Sequence, residues 1–232
     1  MPLLPGQTPD LPPVEIVLKR SATARRFSLR VSRLDGRVTL SLPLRAREAE
    51  AMAFAREQEG WIRRTLADLP QQAGVGLGSV IPVEGRMLRL VQGTGRAVRI
   101  DGDSLLIPGD PAQAGVRAGA FLKHLARERL VAASDRYAAQ IGRRVMRVTL
   151  RDTRSRWGSC AQDGALMYSW RLVMAPASVL DYVAAHEVSH MVEMNHSAAY
   201  WAVVDRLYPG WQVQRKWLHT QGQSLHQYRF GD

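Results

Sequence analysis

The first half of the chain alternates apolar and polar residues in short runs. Val14 to Lys19, Arg26 to Ser32 and Arg37 to Pro43 follow the two-residue period of a half-buried strand. Asp35-Gly36, between the last two runs, is a hairpin signal, and Pro43 ends the third strand. From Arg45 to Leu69 the period lengthens, and Met52, Ala55, Trp61, Ile62 and Leu66 recur near helical spacing until Pro70 stops the helix. Gln71 to Ser79 is a Gly-rich loop. Further short strands are expected at Val80 to Val83, Arg86 to Val91, Ala97 to Ile100 and Ser104 to Ile107, punctuated by Gly85, Gly93, Gly95 and Asp101-Gly102.

Pro108-Gly109-Asp110-Pro111 marks an expected boundary, giving a β-rich region with one helix over 1–110 and a second domain over 111–232. A long helix follows from about Gln113 to Ile141, with Phe121, Leu125, Leu130 and Tyr137 among its apolar positions and Gly142 at its C-cap. Val145 to Leu150 and Leu166 to Leu172 read as strands, joined by a loop containing Trp157-Gly158-Ser159-Cys160. Ser178 as N-cap and Asp181 as its acidic partner are expected to open the next helix, which runs to about Glu193. Short helices are expected at Ser197 to Leu207 and Trp211 to Gln221, separated by Pro209-Gly210. No internal repeat is evident, and strands followed by helices make the class α+β.

Composition narrows the setting. No apolar stretch approaches the ~20 residues of a membrane span. The proline-rich start, Met1 to Val14, lacks the basic and apolar regions of a secretory signal. Cys160 is the only cysteine, which excludes an intramolecular disulfide and a four-thiolate metal site. A cytoplasmic location without membrane attachment is the expectation. The formal charge is +11, with 32 basic against 21 acidic residues, a surplus that attracts nucleic acid or another polyanion. The arginines are spread along the chain without a dense run, so charge alone does not define such a site.

The chemistry concentrates at His186-Glu187-Val188-Ser189-His190. His186 and His190 are four apart on a predicted helix, one turn apart on one face. Two imidazoles so placed can share one Zn²⁺. Glu187 is rotated about 100° from His186 and can reach a water on the metal without being a ligand, the position of a general base. Catalytic zinc keeps three protein ligands and an open position. His196 is the best third ligand, but it lies six residues beyond His190, so a continuing helix would aim it away. The helix must end between them, with Asn195 as a left-handed pivot and Ser197 capping the next helix. Glu193, one turn beyond His190, would serve instead if the helix continued. His124, His219 and His226 read as structural or surface residues.

The runs Arg154 to Cys160, Trp170 to Pro176, Asp181 to His190 and Asn195 to Trp201 carry a resemblance to the YgjP-like metallopeptidases, bacterial relatives of the SprT-type zinc proteases. Arg25 to Arg30, Trp61-Ile62 and Trp217-Leu218 extend it over most of the chain. Ser169 and Val188 depart from the usual asparagine and leucine. The resemblance implies a compact zincin-like, minigluzincin-type core, with His186, His190 and His196 on Zn²⁺ and Glu187 as catalytic acid and base. It also implies that the Trp-Gly-Ser-Cys loop lies near the site, and it leaves two reactions open, peptide-bond hydrolysis and nucleoside-triphosphate hydrolysis.

Around this centre, Arg154, Arg156 and Arg171 are candidates to bind an anion or a developing oxyanion, Arg156 foremost because it adjoins Trp157. Tyr182 lies four before His186 and can line the cleft or pack. Tyr200 and Trp201 are expected to pack the ligand helix. Asp205 is a candidate for orienting a ligand histidine, and Cys160 for a packed or redox-active thiol. A polypeptide is the expected substrate. The alternatives are a nucleoside-triphosphate or phosphoester hydrolase, which lacks a Gly-rich phosphate loop here, and a nucleic-acid-bound module in which zinc serves stability.

Overall fold

The computed structural model describes residues 2–4, 12–32, 36–68 and 73–231. Asp35 of the expected hairpin, Leu69 and Pro70 at the expected helix end, and Gln71 of the expected loop lie outside them. The chain divides into two compact units, Met1–Gln71 and Gln72–Asp232.

The first unit is a four-stranded sheet with two helices. Its strands are β1 (Leu3–Leu4), β2 (Val14–Ser21), β3 (Ser28–Val31) and β4 (Val38–Pro43), in the order β1-β2-β4-β3. β4 pairs antiparallel with β3, as the hairpin signal between them predicts, and parallel with β2. Val38, Leu40 and Leu42 of β4 are buried with Ile16 and Leu4. The expected single helix is two, α1 (Glu48–Glu57) and α2 (Glu59–Ala67), broken at Gln58. The break lets Glu59 turn inward, 3% exposed, where Arg63 pairs with it at 2.7 Å. Gly60 weakens the helix at the same place. Ala51, Met52, Ala55 and Ile62 then close the core.

The second unit begins with β5 (Ala73–Gly74), β6 (Val80–Val83), β7 (Arg86–Gln92), β8 (Arg99–Asp101) and β9 (Ser104–Ile107). The sheet order β6-β7-β9-β8 repeats that of the first unit, with a central parallel pair and outer antiparallel ones. This topological repeat has no counterpart in the sequence. α3 (Ala114–Gln140) follows, and Gly142 just beyond it has φ +62°, as its C-cap reading requires. Ile81, Val83, Leu88, Leu90, Leu105 and Ile107 are buried in one core with Ala114, Ala118 and Leu122 of α3. The boundary expected at Pro108–Pro111 therefore falls inside this unit: the sheet needs the helix to cover its apolar face.

β10 (Arg147–Arg151), β11 (Gly158–Cys160) and β12 (Ala165–Ser169) form a mixed sheet in the order β10-β12-β11. The strand expected to reach Leu172 stops at Ser169, and Trp170–Met174 is a fully buried 3-10 helix. α4 (Ala177–Ser189), α5 (Ala198–Leu207) and α6 (Gln212–Gln221) complete the helices, and β13 (Tyr228–Arg229) returns to pair with β5. The architecture is thus mixed α+β, β-rich at the N-terminal end and helical towards the C-terminus. No described helix is long and apolar enough to cross a membrane.

Candidate metal centre

The centre is built on α4, a helix whose apolar residues are buried nearly all round. Val179, Leu180, Val183, Ala184, Ala185 and Val188 are all buried, as expected of a helix inside a core. It starts two residues earlier than expected, with Pro176 rather than Ser178 at the N-cap. Asp181 does not close a capping box. Its carboxylate accepts from Arg136 at 2.5 Å and from the Tyr137 hydroxyl at 2.8 Å, and so clamps α4 to α3.

α4 ends at Ser189, earlier than the expected Glu193, and His190 is its C-cap. The last turn tightens: His190 N–H donates to Glu187 C=O, Met191 to Val188 and Val192 to Ser189. Among the described non-glycine residues only Glu84 has a positive φ, so Asn195 is not a left-handed pivot. The reversal is spread over these tightened turns, and Asn195 C=O accepts from Ser197 N–H at 2.7 Å. Ser197 then caps α5 by accepting from Tyr200 N–H, as expected.

This reversal returns His196 to α4. The Nε2 atoms of His186 and His196 are 3.3 Å apart. One ligand atom from each of His186, His190 and His196 lies within 4.8 Å of the others, a set that could hold a metal ion. His190 Nδ1 is 3.1 Å from Glu193 C=O, which directs its Nε2 to the cluster. Glu193 thus contributes its backbone, and its side chain is not in the cluster. The Tyr182 hydroxyl is 3.5 Å from His186 Nδ1. Tyr200 donates to His186 C=O at 2.9 Å, and its ring stacks on His190 with centres 4.4 Å apart. Burial pushes His186 down to about 3, aided by His190, His196 and Arg215, and burial also lowers His190. Neutral imidazoles are the form that binds a metal.

Glu187 is 6% exposed. Burial raises its carboxyl to about 8, opposed by the charge of Arg156. β11 packs against it. A Cβ on Gly158 would lie 2.5 Å from Glu187 Oε1 and 2.6 Å from Cγ, so only glycine admits the carboxylate. Spacing alone does not reveal this contact.

The other candidates separate clearly. Arg171 is 5% exposed; it pairs with both oxygens of Asp152 and donates to Leu225 and Tyr228 carbonyls, so it holds the fold and is not available to an anion. Arg154 and Arg156 are exposed. The Cys160 thiol is pushed up to about 11 by burial and by Glu187 and Asp163, unlike a reactive thiolate. Asp205 is exposed, and among the described residues no contact joins it to a histidine. His226, expected at the surface, is buried against Trp157, with ring centres 5.4 Å apart. His124 and His219 are exposed. Sequence inspection missed Trp211 and Arg215, one helical turn apart beside the cluster. A cavity of about 800 Å³ in the first unit, lined in part by Pro12, Arg37 and Arg63, contains no candidate residue.

Fold and site together define a mixed α+β protein with a helix-borne three-histidine set able to hold a metal. The chain belongs to the YgjP-like family: the family model, described as a YgjP-like metallopeptidase domain, matches residues 25–221. That membership indicates a metal-dependent peptidase. No curated protein and no solved structure matches the chain.

Proposed function

We propose that the protein is a zinc metallopeptidase with a zincin-like catalytic core, whose chemistry lies within residues 111–232. The observation that carries this is the 3.3 Å separation of His186 Nε2 and His196 Nε2. Two nitrogens each ~2.0–2.1 Å from one tetrahedral ion are roughly 3.3–3.4 Å apart. The donor set fits zinc: three neutral imidazoles, with His190 oriented through its second nitrogen. His186, His190 and His196 would hold the ion. When bound, it would supply Lewis-acid polarisation of the scissile carbonyl and acidify a water.

The chain's own residues supply the rest. Glu187 adjoins a ligand but is not one. It accepts the proton of the attacking water and passes it to the leaving amine. Its raised pKa suits a group that must both take and give a proton near neutrality. Arg156 places positive charge near Glu187, and Tyr182 stands at His186 to line the cleft. A peptide substrate is supported by β11, an edge strand of its sheet. Its register with β12 turns the Gly158 and Cys160 backbone groups away from β12, where an extended chain can pair.

The test is Glu187→Gln. The variant should keep its zinc, measured by metal analysis, and lose peptide hydrolysis. A fully active variant would sink the assignment. Zinc-dependent turnover of nucleoside triphosphates, with none of peptides, would replace the peptidase by a nucleotide hydrolase.

A further inference from the structure

Beside the histidine cluster, a cavity of about 720 Å³ carries positive charge that no carboxylate among the described residues answers. Trp157, Tyr182 and Trp211 line it together with Arg215, Lys216 and His219, and no aspartate or glutamate does. Another cavity of the same unit is self-neutralised: Arg129 pairs with Glu84, and Arg136 with Asp181. Among the described residues, no carboxylate pairs with Arg215 or Lys216.

Arg215 is nevertheless held. Its guanidinium carbon lies 5.1 Å from the centre of Trp201 and 5.7 Å from that of Trp211. Those two rings stack 4.2 Å apart, and Trp211 lies parallel to Tyr182 at 6.4 Å. Aromatic faces hold a guanidinium plane without consuming its N–H donors. Trp201 in turn sits 5.8 Å from His186 and 5.7 Å from His196, so the stack joins Arg215 to the metal centre.

We propose that this cavity binds a carboxylate of the peptide substrate near the scissile bond, with Arg215 as the specificity-determining residue. The carboxylate belongs to an acidic side chain or to the peptide's own C-terminus. Arg215 meets it with a planar fork, Lys216 adds a point charge, and the substrate's methylenes lie on the aromatic wall. Two permanent cations match one carboxylate better than a polyphosphate, and no Gly-rich loop offers backbone donors to phosphate. This inference rests on the peptidase reading above.

The test uses the zinc-loaded full chain and peptides that differ only by Glu, Gln or Lys at one position, each with an acid or amide C-terminus. Acidic peptides should show kcat/KM higher by about fivefold or more, the scale of one partly exposed charge pair. The responding position distinguishes side chain from terminus. Arg215→Gln should erase the preference, Arg215→Lys should keep part of it, and Arg215→Glu should reverse it towards lysine-containing peptides. A loosened aromatic stack would lower activity without reversing selectivity. Equal cleavage of neutral and acidic peptides, or a preference unchanged in Arg215→Glu, overturns the proposal and leaves the peptidase standing. If no peptide is cleaved, the peptidase reading fails, and binding decides the pocket. Tryptophan fluorescence of Glu187→Gln protein, titrated with the same peptides and with inorganic phosphate, should show carboxylate binding that Arg215→Gln abolishes. No such binding, or tighter binding of phosphate, overturns it.

Discussion

Gly158→Ala puts a methyl group where Glu187 lies. The new Cβ would sit 2.5 Å from Oε1, 2.6 Å from Cγ and 2.7 Å from Cδ. Ordinary carbon contacts are ~3.5–4.0 Å, so something must move by about an ångström. Glu187 is on a buried helix and Gly158 is on a strand paired to β12, which leaves the carboxylate itself as the part that gives. Overpacking of this kind costs ~1–3 kcal/mol. A catalytic group displaced by about 1 Å costs roughly 100-fold in rate. Gly158→Ala should therefore melt several degrees lower, keep its metal, and lose about 100-fold in kcat on a peptide substrate. Glu187→Ala in the same background removes the atoms that clash. The double variant should recover stability relative to Gly158→Ala, as read by thermal melts of all four proteins. Wild-type activity in Gly158→Ala, or a stability loss of the same size with and without the Glu187 side chain, would refute the steric account.

Tyr200→Phe keeps the ring on His190 but removes the donor to His186 C=O, and should cost about 1 kcal/mol; because that bond fixes the ligand turn of α4, metal affinity measured by chelator competition should fall about tenfold. Asp152→Asn leaves the buried Arg171 without its charge partner and should cost roughly 1–3 kcal/mol, tempered by the partial exposure of Asp152, while metal content stays unchanged. Burial holds His226 down at about 4 against an ordinary 6.5, with Arg171 aiding and Asp152 opposing. The unfolded chain then takes the proton first, so this stability is full above about pH 6.5 and lost as pH falls towards 4. Melts of metal-free protein across that window should show a shallower acid loss in His226→Gln than in wild type. Chelation should lower the melting temperature of the metal-loaded protein and restore it on readdition, because the ion binds the folded cluster preferentially.

Whatever depends on local periodicity and on fixed spacing was legible in the amino-acid order. Alternation in Val38 to Pro43 and Val80 to Val83 was sufficient for strands, since a two-residue period leaves one face to bury. Gly142 and Ser197 marked helix ends because backbone conformation and capping are chosen within a few residues. Two histidines one turn apart declared a shared face, and the return of His196 followed because a continuing helix could not deliver it. Tertiary structure decided what depends on partners distant in the chain. Asp181 reads locally as a cap, yet Arg136 and Tyr137 of α3 claim it. Asn195 has the right chemistry for a left-handed pivot, yet tightened turns held by contacts such as His190 with Glu193 C=O make the reversal instead. The sheet at 80–107 ends at a strong turn signal, yet its apolar face is covered by α3, which comes after that signal. Gly158 against Glu187, and Arg215 on its tryptophans, join residues whose separation in the chain carries no period. Packing brings them together, and their charge and volume matter only once it has.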